Sequence, residues 1–161
     1  MSYKVVDNFL PEGEFKAIVD AVTGGYFPWY SKIEGVAYEG DFSDKYFVHL
    51  IYEHSKPNSD YFSMLSPILT KIESKALIRA KVNLYTRNTK LIEHGKHTDF
   101  DFPHKAFILY LNTNNGFTRM SDGTVVDSVA NRGVFFEGHE THNSSNCTDE
   151  LFRINISINY F

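Results

Sequence analysis

The sequence predicts a mainly β protein, an α+β fold in which two N-terminal helices pack on one sheet of a β sandwich or barrel. Three observations support this prediction. Aromatic residues make up 16% of the chain, and such a composition favours strands. Apolar residues recur with helical spacing in the first half, whereas short strand-like runs separated by Asn, Gly, Asp and Ser follow from residue 77 onward. The length of 161 residues suits a single domain, predicted over residues 1–161.

The two helices are predicted from apolar residues spaced three and four apart. One face of the first helix is formed by Phe15, Ile18, Val19 and Val22, and Gly24-Gly25 ends it. A second helix is predicted over about 59–75, where a similar apolar stripe occurs. Lys71, Lys75 and Arg79 follow at a spacing of four. We interpret these basic residues as a solvated helix face, or alternatively as a contact for an acidic partner.

The strands are predicted from apolar runs bounded by turn-forming residues. These runs are residues 44–53, 77–86, 105–113, 124–129, 132–138 and 151–161. In the last run, side chains alternate between two faces of the strand. One face carries Ile154, Ile156, Ile158 and Tyr160, and the other carries Arg153, Asn155, Ser157 and Asn159. The apolar face can pack on the helices, while the polar face is either exposed to water or lines a polar barrel interior.

Composition narrows the class of protein. The net charge is −4, so no nucleic-acid or membrane partner is expected. Cys147 is the only cysteine, which excludes an internal disulfide and fits a reducing compartment. The first ten residues lack the apolar region of a signal peptide, and the longest apolar run, AFILYL, is too short to cross a membrane. We therefore expect a cytoplasmic protein.

The stretch HGKHTDFDFPHK, residues 94–105, contains three histidines and two aspartates. His97 and Asp99 are two residues apart, so on a strand both side chains point the same way and can reach one metal ion. A third ligand has to come from a distant segment, and His139 and His142 are the candidates. Arg153 lies about eleven residues after His142. Two histidines and one carboxylate, with open coordination positions opposite, form the facial triad of non-heme Fe(II) oxygenases.

The chain resembles the 2-oxoglutarate and Fe(II)-dependent dioxygenases, specifically the prolyl 4-hydroxylase-like branch and its small phage-type members. The resemblance covers nearly the whole chain and is carried by VNLYTRNTKLIEHGKHTD, FILYLN, NRGVFFEGHETHNSS and FRINISINYF. One departure is that Asn115-Gly116 stands where the family has a glycine pair. The resemblance implies that the fold is a double-stranded β-helix, or jelly roll.

The resemblance also implies roles for individual residues. His97, Asp99 and His142 would bind Fe(II), and His142 matches the family position better than His139. Arg153 would bind the distal carboxylate of 2-oxoglutarate, which suits the two-pronged guanidinium group.

The cosubstrate pocket is implied in the same way. Tyr85 and Tyr110 match tyrosines that hydrogen-bond 2-oxoglutarate in relatives. Thr118 and Ser144 match positions that line its pocket.

The activity implied is hydroxylation of an aliphatic C–H bond with release of succinate and CO2, using Fe(II), 2-oxoglutarate, O2 and ascorbate. A peptidyl proline is the leading substrate by analogy, and other peptide, protein or small-molecule substrates stay open. Two alternatives come from other classes. One is a catalytically silent jelly-roll binding or virion-associated module. The other is a zinc hydrolase with the same three ligands, which has no use for Arg153.

Several neighbouring residues receive a weaker interpretation. His94, Asp101 and His104 are taken as a polar rim of the site with structural or surface roles. The aromatic residues Phe27, Trp29 and Tyr30 either line a substrate entrance or pack in the core.

Overall fold

The computed structural model describes residues 3–40 and 44–161, and within these ranges it has eleven β-strands, two α-helices and one 3₁₀ helix. The strands are β1 Tyr3–Val6, β2 Tyr30–Ser31, β3 Tyr46–Glu53, β4 Lys56–Pro57, β5 Leu77–Thr86, β6 Lys105–Tyr110, β7 Phe117–Arg119, β8 Val125–Asp127, β9 Gly133–Glu137, β10 Asn143–Ser144 and β11 Phe152–Tyr160. The helices are α1 Glu12–Thr23, the 3₁₀ helix Asp60–Leu65 and α2 Ser66–Lys71.

The strands form two antiparallel sheets. The larger has eight strands in the order β1-β9-β6-β11-β5-β3-β2, with β4 paired to β3, and the smaller has the order β10-β7-β8. Isolated bridges extend the smaller sheet, because Glu93 pairs with Ser145 and His97 pairs with His142. The segment before β6 therefore lies along the smaller sheet, opposite β5 and β11 of the larger one. The mainly β prediction is confirmed.

The prediction for the second helix is only partly right. The segment begins as a 3₁₀ helix and continues as α2, but helical structure ends at Lys71, and Glu73 has a φ of +55°. A left-handed residue turns the chain out of the helix. From Leu77 the chain pairs with β11 and β3 instead. The interpretation of Arg79 as part of a helical basic stripe is therefore wrong, because Arg79 lies on β5.

The apolar and polar faces of β11 lie against different parts of the protein. The apolar face of β11 shares one hydrophobic cluster with Ile18 and Val22 of α1 and Ile68 of α2. A smaller cluster between the sheets includes Ile108, Val126 and Phe136. The polar face of β11 points into the space between the two sheets. The polar face of the adjacent strand β5 points into the same space. No helix in the described parts of the chain is long and apolar enough to cross a membrane.

Candidate active site

The backbone places His97 opposite His142. The His97 N–H donates to the His142 carbonyl oxygen at 3.0 Å, and the His142 N–H donates to the His97 carbonyl oxygen at 2.9 Å. Residues that exchange both hydrogen bonds in an antiparallel pair have their side chains on the same face. The Asp99 N–H donates to the Gly138 carbonyl oxygen at 3.1 Å, so Asp99 continues along the same segment. One potential ligand atom from each of His97, Asp99 and His142 lies within 4.8 Å of the others.

The two imidazole rings are oriented for metal binding. Nδ1 of His97 faces the Gly95 carbonyl oxygen at 3.3 Å, and Nδ1 of His142 faces the Glu140 carbonyl oxygen at 3.2 Å. A carbonyl oxygen only accepts, so this arrangement assigns the proton to Nδ1 and leaves the Nε2 lone pair free in both rings. Burial, together with the nearby His142, lowers the pKa of His97 to about 4. His97 is therefore neutral at physiological pH, the state in which a histidine binds metals.

Both oxygens of Asp99 are held by donors from the larger sheet. Nη2 of Arg79 lies 2.7 Å from Oδ1, and Nδ2 of Asn159 donates to Oδ2 at 2.8 Å. Burial by itself would raise the pKa of Asp99, but His142, Lys81 and Arg79 and the Asn159 hydrogen bond outweigh it and lower the pKa to about 2. The carboxylate is therefore ionised and held in place when no metal is bound.

A chain of hydrogen bonds supports Asn159 in turn. Nδ1 of His104 lies 2.8 Å from the Phe102 carbonyl oxygen, so His104 donates there and its Nε2 accepts from Asn159 Nδ2 at 3.2 Å. Asn159 thus uses one amide hydrogen for His104 and the other for Asp99. Gly138 leaves the space for this ring, because a Cβ at that position would lie 2.0 Å from Nε2 of His104.

Arg153 lies in another part of the interior and is fully buried. Its Nε donates to Ser128 Oγ at 2.7 Å, its Nη1 to the Ser145 carbonyl oxygen at 3.2 Å and its Nη2 to Thr118 Oγ1 at 3.2 Å. All three acceptors are neutral, and no carboxylate among the described residues forms an ion pair with it. A buried arginine normally has an anionic partner. The missing partner indicates a binding place for an anion.

Two tyrosines enclose the Arg153 guanidinium group. Its central carbon lies 5.3 Å from the ring centre of Tyr85 and 5.4 Å from that of Tyr110. The Tyr110 hydroxyl donates to Thr118 Oγ1 at 2.7 Å. Thr118 Oγ1 accepts from both Tyr110 and Arg153, which leaves its own hydroxyl hydrogen free to donate.

A ladder of paired polar side chains connects the two parts of the interior. On adjacent strands β5 and β11, the register pairs Tyr85 with Arg153, Asn83 with Asn155, Lys81 with Ser157, and Arg79 with Asn159. These residues alternate with apolar ones, so the polar members share the inner face. A cavity of about 40 Å³ lies between this ladder and the metal-ligand cluster. Its wall includes Lys81, Tyr85, His97, Asp99, Thr118, His142 and Ser144.

A larger cleft lies on the outer side of the cluster. It has a volume of about 440 Å³ and is lined by Lys32, residues 34–39, Tyr46, Arg79, Lys81, and residues 97–99. Lys81, His97 and Asp99 line both this outer cleft and the inner cavity. A molecule in the outer cleft can therefore reach His97 and Asp99 without contacting Arg153, Tyr85 or Thr118, which do not line the cleft.

The structure brings the eight predicted site residues around one polar interior. Ser144 lines the inner cavity directly and is supported by His94, whose Nδ1 lies 2.8 Å from Ser144 Oγ and whose ring stacks on Tyr85 at 5.0 Å. His139 is exposed, with Nδ1 4.0 Å from Glu137, and lies outside the ligand cluster.

Some interpretations from the sequence need correction. His94 and His104 are each only 3% exposed and support the site from behind, so they do not form a polar rim. Asp101 is exposed in the loop before β6. Phe27 is buried in the core with Trp29 packed against the same cluster, and Tyr30 lines a separate groove. The aromatic residues that line the outer cleft are Tyr38 and Tyr46 instead.

Four residues that contribute to the site were not among the predicted site residues. They are Arg79, Lys81, His104 and Asn159. A usable signal was present for the first two, because Arg79, Lys81, Asn83 and Tyr85 alternate with apolar residues in the strand-like run 77–86. Nothing in the local sequence signals the role of His104, which depends on contact with β11.

No family model matches the chain, and the comparison with curated proteins finds no match. Solved structures do match. A prolyl hydroxylase from Trichoplax adhaerens, in complex with a hypoxia inducible factor oxygen degradation domain peptide fragment, has a TM-score of 0.71 at 14% identity over 99% of this chain and 83% of that one. A viral collagen prolyl hydroxylase from Paramecium Bursaria Chlorella virus-1, in its 2-oxoglutarate complex, has a TM-score of 0.66 at 14% identity over 100% and 97%.

A further match is an epimerase. SnoN, a non-heme α-ketoglutarate-dependent epimerase from nogalamycin biosynthesis, has a TM-score of 0.69 at 16% identity over 99% of this chain and 77% of that one. The chain therefore has the jelly-roll fold of the 2-oxoglutarate- and Fe(II)-dependent oxygenases, a fold that it shares with prolyl hydroxylases, including a viral one.

Proposed function

We propose that this protein is a 2-oxoglutarate- and Fe(II)-dependent dioxygenase that hydroxylates an aliphatic C–H bond and releases succinate and CO2. One observation carries the proposal. A fully buried arginine without a counter-ion lies against Tyr85 and Thr118, and these two residues line the same inner cavity as the His–Asp–His cluster. A diacid that binds Arg153 at one end and the metal at the other would satisfy both. We also infer that residues 1–161 act as one domain in which α1 and α2 brace the larger sheet.

His97, Asp99 and His142 fit Fe(II) as a ligand set. Two neutral imidazole nitrogens and one carboxylate are the donors of the facial triad, which leaves coordination positions open. When bound there, Fe(II) would supply the activation of O2 that aliphatic hydroxylation requires. The protein contributes a prepared ligand set, in which Arg79 and Asn159 hold Asp99 in place.

Arg153 and its neighbours fit the distal carboxylate of 2-oxoglutarate. Two N–H hydrogens of the guanidinium group, one on each Nη, remain after the three hydrogen bonds to Ser128, Ser145 and Thr118. The Thr118 hydroxyl is free to donate as well. The inner cavity of about 40 Å³ has room for little more than water, so lining side chains must move when a five-carbon diacid binds.

The outer cleft is the proposed substrate site, because it reaches His97 and Asp99 and is not lined by Arg153 or its neighbours Tyr85 and Thr118. A peptidyl proline is the leading candidate. The Trichoplax prolyl hydroxylase of the same fold was solved with a peptide. The epimerase shows that the same fold also serves other reactions, so fold alone does not fix the substrate.

The alternatives explain the interior less well. A zinc hydrolase needs the three ligands and an open position, but it gives no role to a buried, unpaired Arg153. A silent module would retain a buried arginine that has no anionic partner without using it, although such a group disfavours folding.

Two measurements test the proposal. The first is binding of 2-oxoglutarate to the anaerobic Mn(II)-loaded protein, and the second is formation of succinate with Fe(II), ascorbate and O2. His97→Ala and Asp99→Ala should abolish metal-dependent binding and turnover, whereas His139→Ala should behave like the unmodified protein. Absence of metal-dependent 2-oxoglutarate binding would overturn the proposed activity. Loss of binding in His139→Ala with retention in His142→Ala would overturn the choice of the third ligand.

A further inference from the structure

Lys81 lies where the outer cleft meets the metal-ligand cluster. It is on the inner face of β5, paired in register with Ser157 of β11, and it belongs to the walls of both cavities. Its side chain is half-buried. The proposed activity uses Arg153 and the three metal ligands, and beyond its electrostatic effect on Asp99 it gives Lys81 no ligand to bind.

The other cations of the outer cleft are paired. Lys32 lies 2.9 Å from Glu34, and Arg79 lies 2.7 Å from Asp99. Lys81 has no ion pair or side-chain hydrogen bond with any residue in the described ranges. The nearby carboxylates of Asp99 and Glu53 favour its charged form without contacting it, so Lys81 is a cation in the outer cleft without a directly bound counter-ion.

Such a position is unfavourable for an ammonium group. Burial, and next the positive charge of Arg79, lowers the pKa of Lys81 to about 8. A bound divalent metal would add further positive charge beside it. An anion placed between Lys81 and the metal would offset both effects, because a charge-assisted hydrogen bond in a partly desolvated site is stronger than one in water.

We propose that Lys81 binds a carboxylate group carried by the substrate, next to the C–H bond that is oxidised. This inference rests on the proposed oxygenase function and narrows its substrate class to molecules with a free carboxylate, such as an amino acid or the C-terminal residue of a peptide. An internal peptidyl proline, which has no carboxylate of its own, fits this position less well.

The carboxylate has two possible sources, the substrate or the metal-proximal end of 2-oxoglutarate. The position of Lys81 favours the substrate. Lys81 lines the outer cleft, whereas Tyr85, Thr118 and Ser144 of the inner cavity do not. Along β5 the backbone of Lys81 is four residues, about 13 Å, from Tyr85, which faces Arg153. A ligand that enters through the outer cleft therefore meets Lys81 before it meets the cosubstrate pocket.

The test compares unmodified protein with Lys81→Met, which removes the charge, and Lys81→Arg, which keeps it. Lys71→Met is the matched control, because Lys71 lies on α2 over the ring of Phe9 and not in either cavity. Each protein is loaded anaerobically with Mn(II), and calorimetry measures its affinity for 2-oxoglutarate. Calorimetry on the Mn(II)- and 2-oxoglutarate-loaded protein then measures its affinity for free L-amino acids and for short peptides ending in proline, each as acid and as C-terminal amide.

We expect at least one acid to bind roughly tenfold or more tightly than its amide. This preference should disappear in Lys81→Met and persist in Lys81→Arg and Lys71→Met, while 2-oxoglutarate affinity stays within about threefold in all four proteins. A large loss of 2-oxoglutarate affinity in Lys81→Met would assign the carboxylate to the cosubstrate and overturn the inference.

The inference also fails if no acid is preferred over its amide by the unmodified protein, provided that 2-oxoglutarate binds. Failure of 2-oxoglutarate to bind in every protein is a different result, because it contradicts the proposed function itself.

Discussion

Arg79 and Asp99 form a partly buried ion pair, with Nη2 of Arg79 2.7 Å from Oδ1 of Asp99. The pair joins the larger sheet to the metal-ligand segment, and Asn159 holds the other oxygen of the same carboxylate. With both oxygens bound by donors, the carboxylate cannot rotate freely. Its geometry is thus set before a metal binds, which reduces the ordering cost of metal binding.

Asn159→Leu should lower metal affinity. The substitution removes the amide that orients Oδ2 of Asp99 and leaves Nε2 of His104 without its donor. Loss of an outer hydrogen-bond partner of a metal ligand typically lowers metal affinity about 10- to 100-fold. Titration with Mn(II) followed by calorimetry measures the change. Asn58→Leu, at an exposed position away from the site, is the control, and equal affinities in the two variants would contradict the positioning role.

Arg153→Met should weaken 2-oxoglutarate binding by about 100-fold or more, because truncating one partner of a buried charge pair costs about 2–5 kcal/mol. Mn(II) affinity should be unchanged, since Arg153 contacts Ser128, Ser145 and Thr118 and not the metal ligands. Arg153→Lys should recover part of the lost affinity, because it keeps the charge but loses the two-pronged geometry. An unchanged 2-oxoglutarate affinity in Arg153→Met would show that the anion binds elsewhere.

Gly138→Ala should destabilise the protein. The new Cβ would lie 2.0 Å from Nε2 of His104, so the ring must move and the hydrogen bond to Asn159 is lost. We expect a loss of about 1–3 kcal/mol in the free energy of unfolding, the usual cost of overpacking. Gly13→Ala is the control, because no atom lies within 4 Å of its added Cβ in α1. There the substitution should stabilise by about 0.5–1 kcal/mol. Urea unfolding measures both changes.

Glu93 should contribute stability that depends on pH. Hydrogen bonds from Arg119 and Asn143 lower the pKa of Glu93 to about 2, below the value of about 4.3 in an unfolded chain. A depressed folded-state pKa contributes stability above the unfolded value, and that stability is lost as the pH falls towards 2. Because the side chain is 38% exposed, solvent screening limits the contribution to about 1 kcal/mol.

Glu93→Gln should therefore destabilise the protein at pH 7, and its difference from the unmodified protein should shrink between about pH 5 and pH 2. Glu150→Gln, at an exposed position, serves as the control and should show little effect at either pH. Urea unfolding at a series of pH values tests both variants. A difference that stays constant down to pH 2 would contradict the ionic role of Glu93.

Local pattern predicted much of the framework. The run 77–86 coincides with β5, and α1 ends at Thr23, just before Gly24-Gly25. Alternation along 151–161 separated the polar from the apolar face of β11, because successive side chains on a strand point to opposite sides whatever lies next to them. The spacing of His97 and Asp99 likewise placed both on one side of the chain.

Contacts between residues that are far apart in the sequence could not be predicted from local sequence patterns. His97 and His142 pair in an isolated β-bridge. Asn159 donates a hydrogen bond to Asp99, which lies 60 residues earlier in the chain. Arg79 continued a helical spacing in the sequence but lies on a strand, because pairing of β5 with β11 and β3 outweighs local periodicity. The sequence by itself determined which residue types could bind a metal and an anion. Only the tertiary structure decided which side chains orient them, because that depends on the register between strands far apart in the chain.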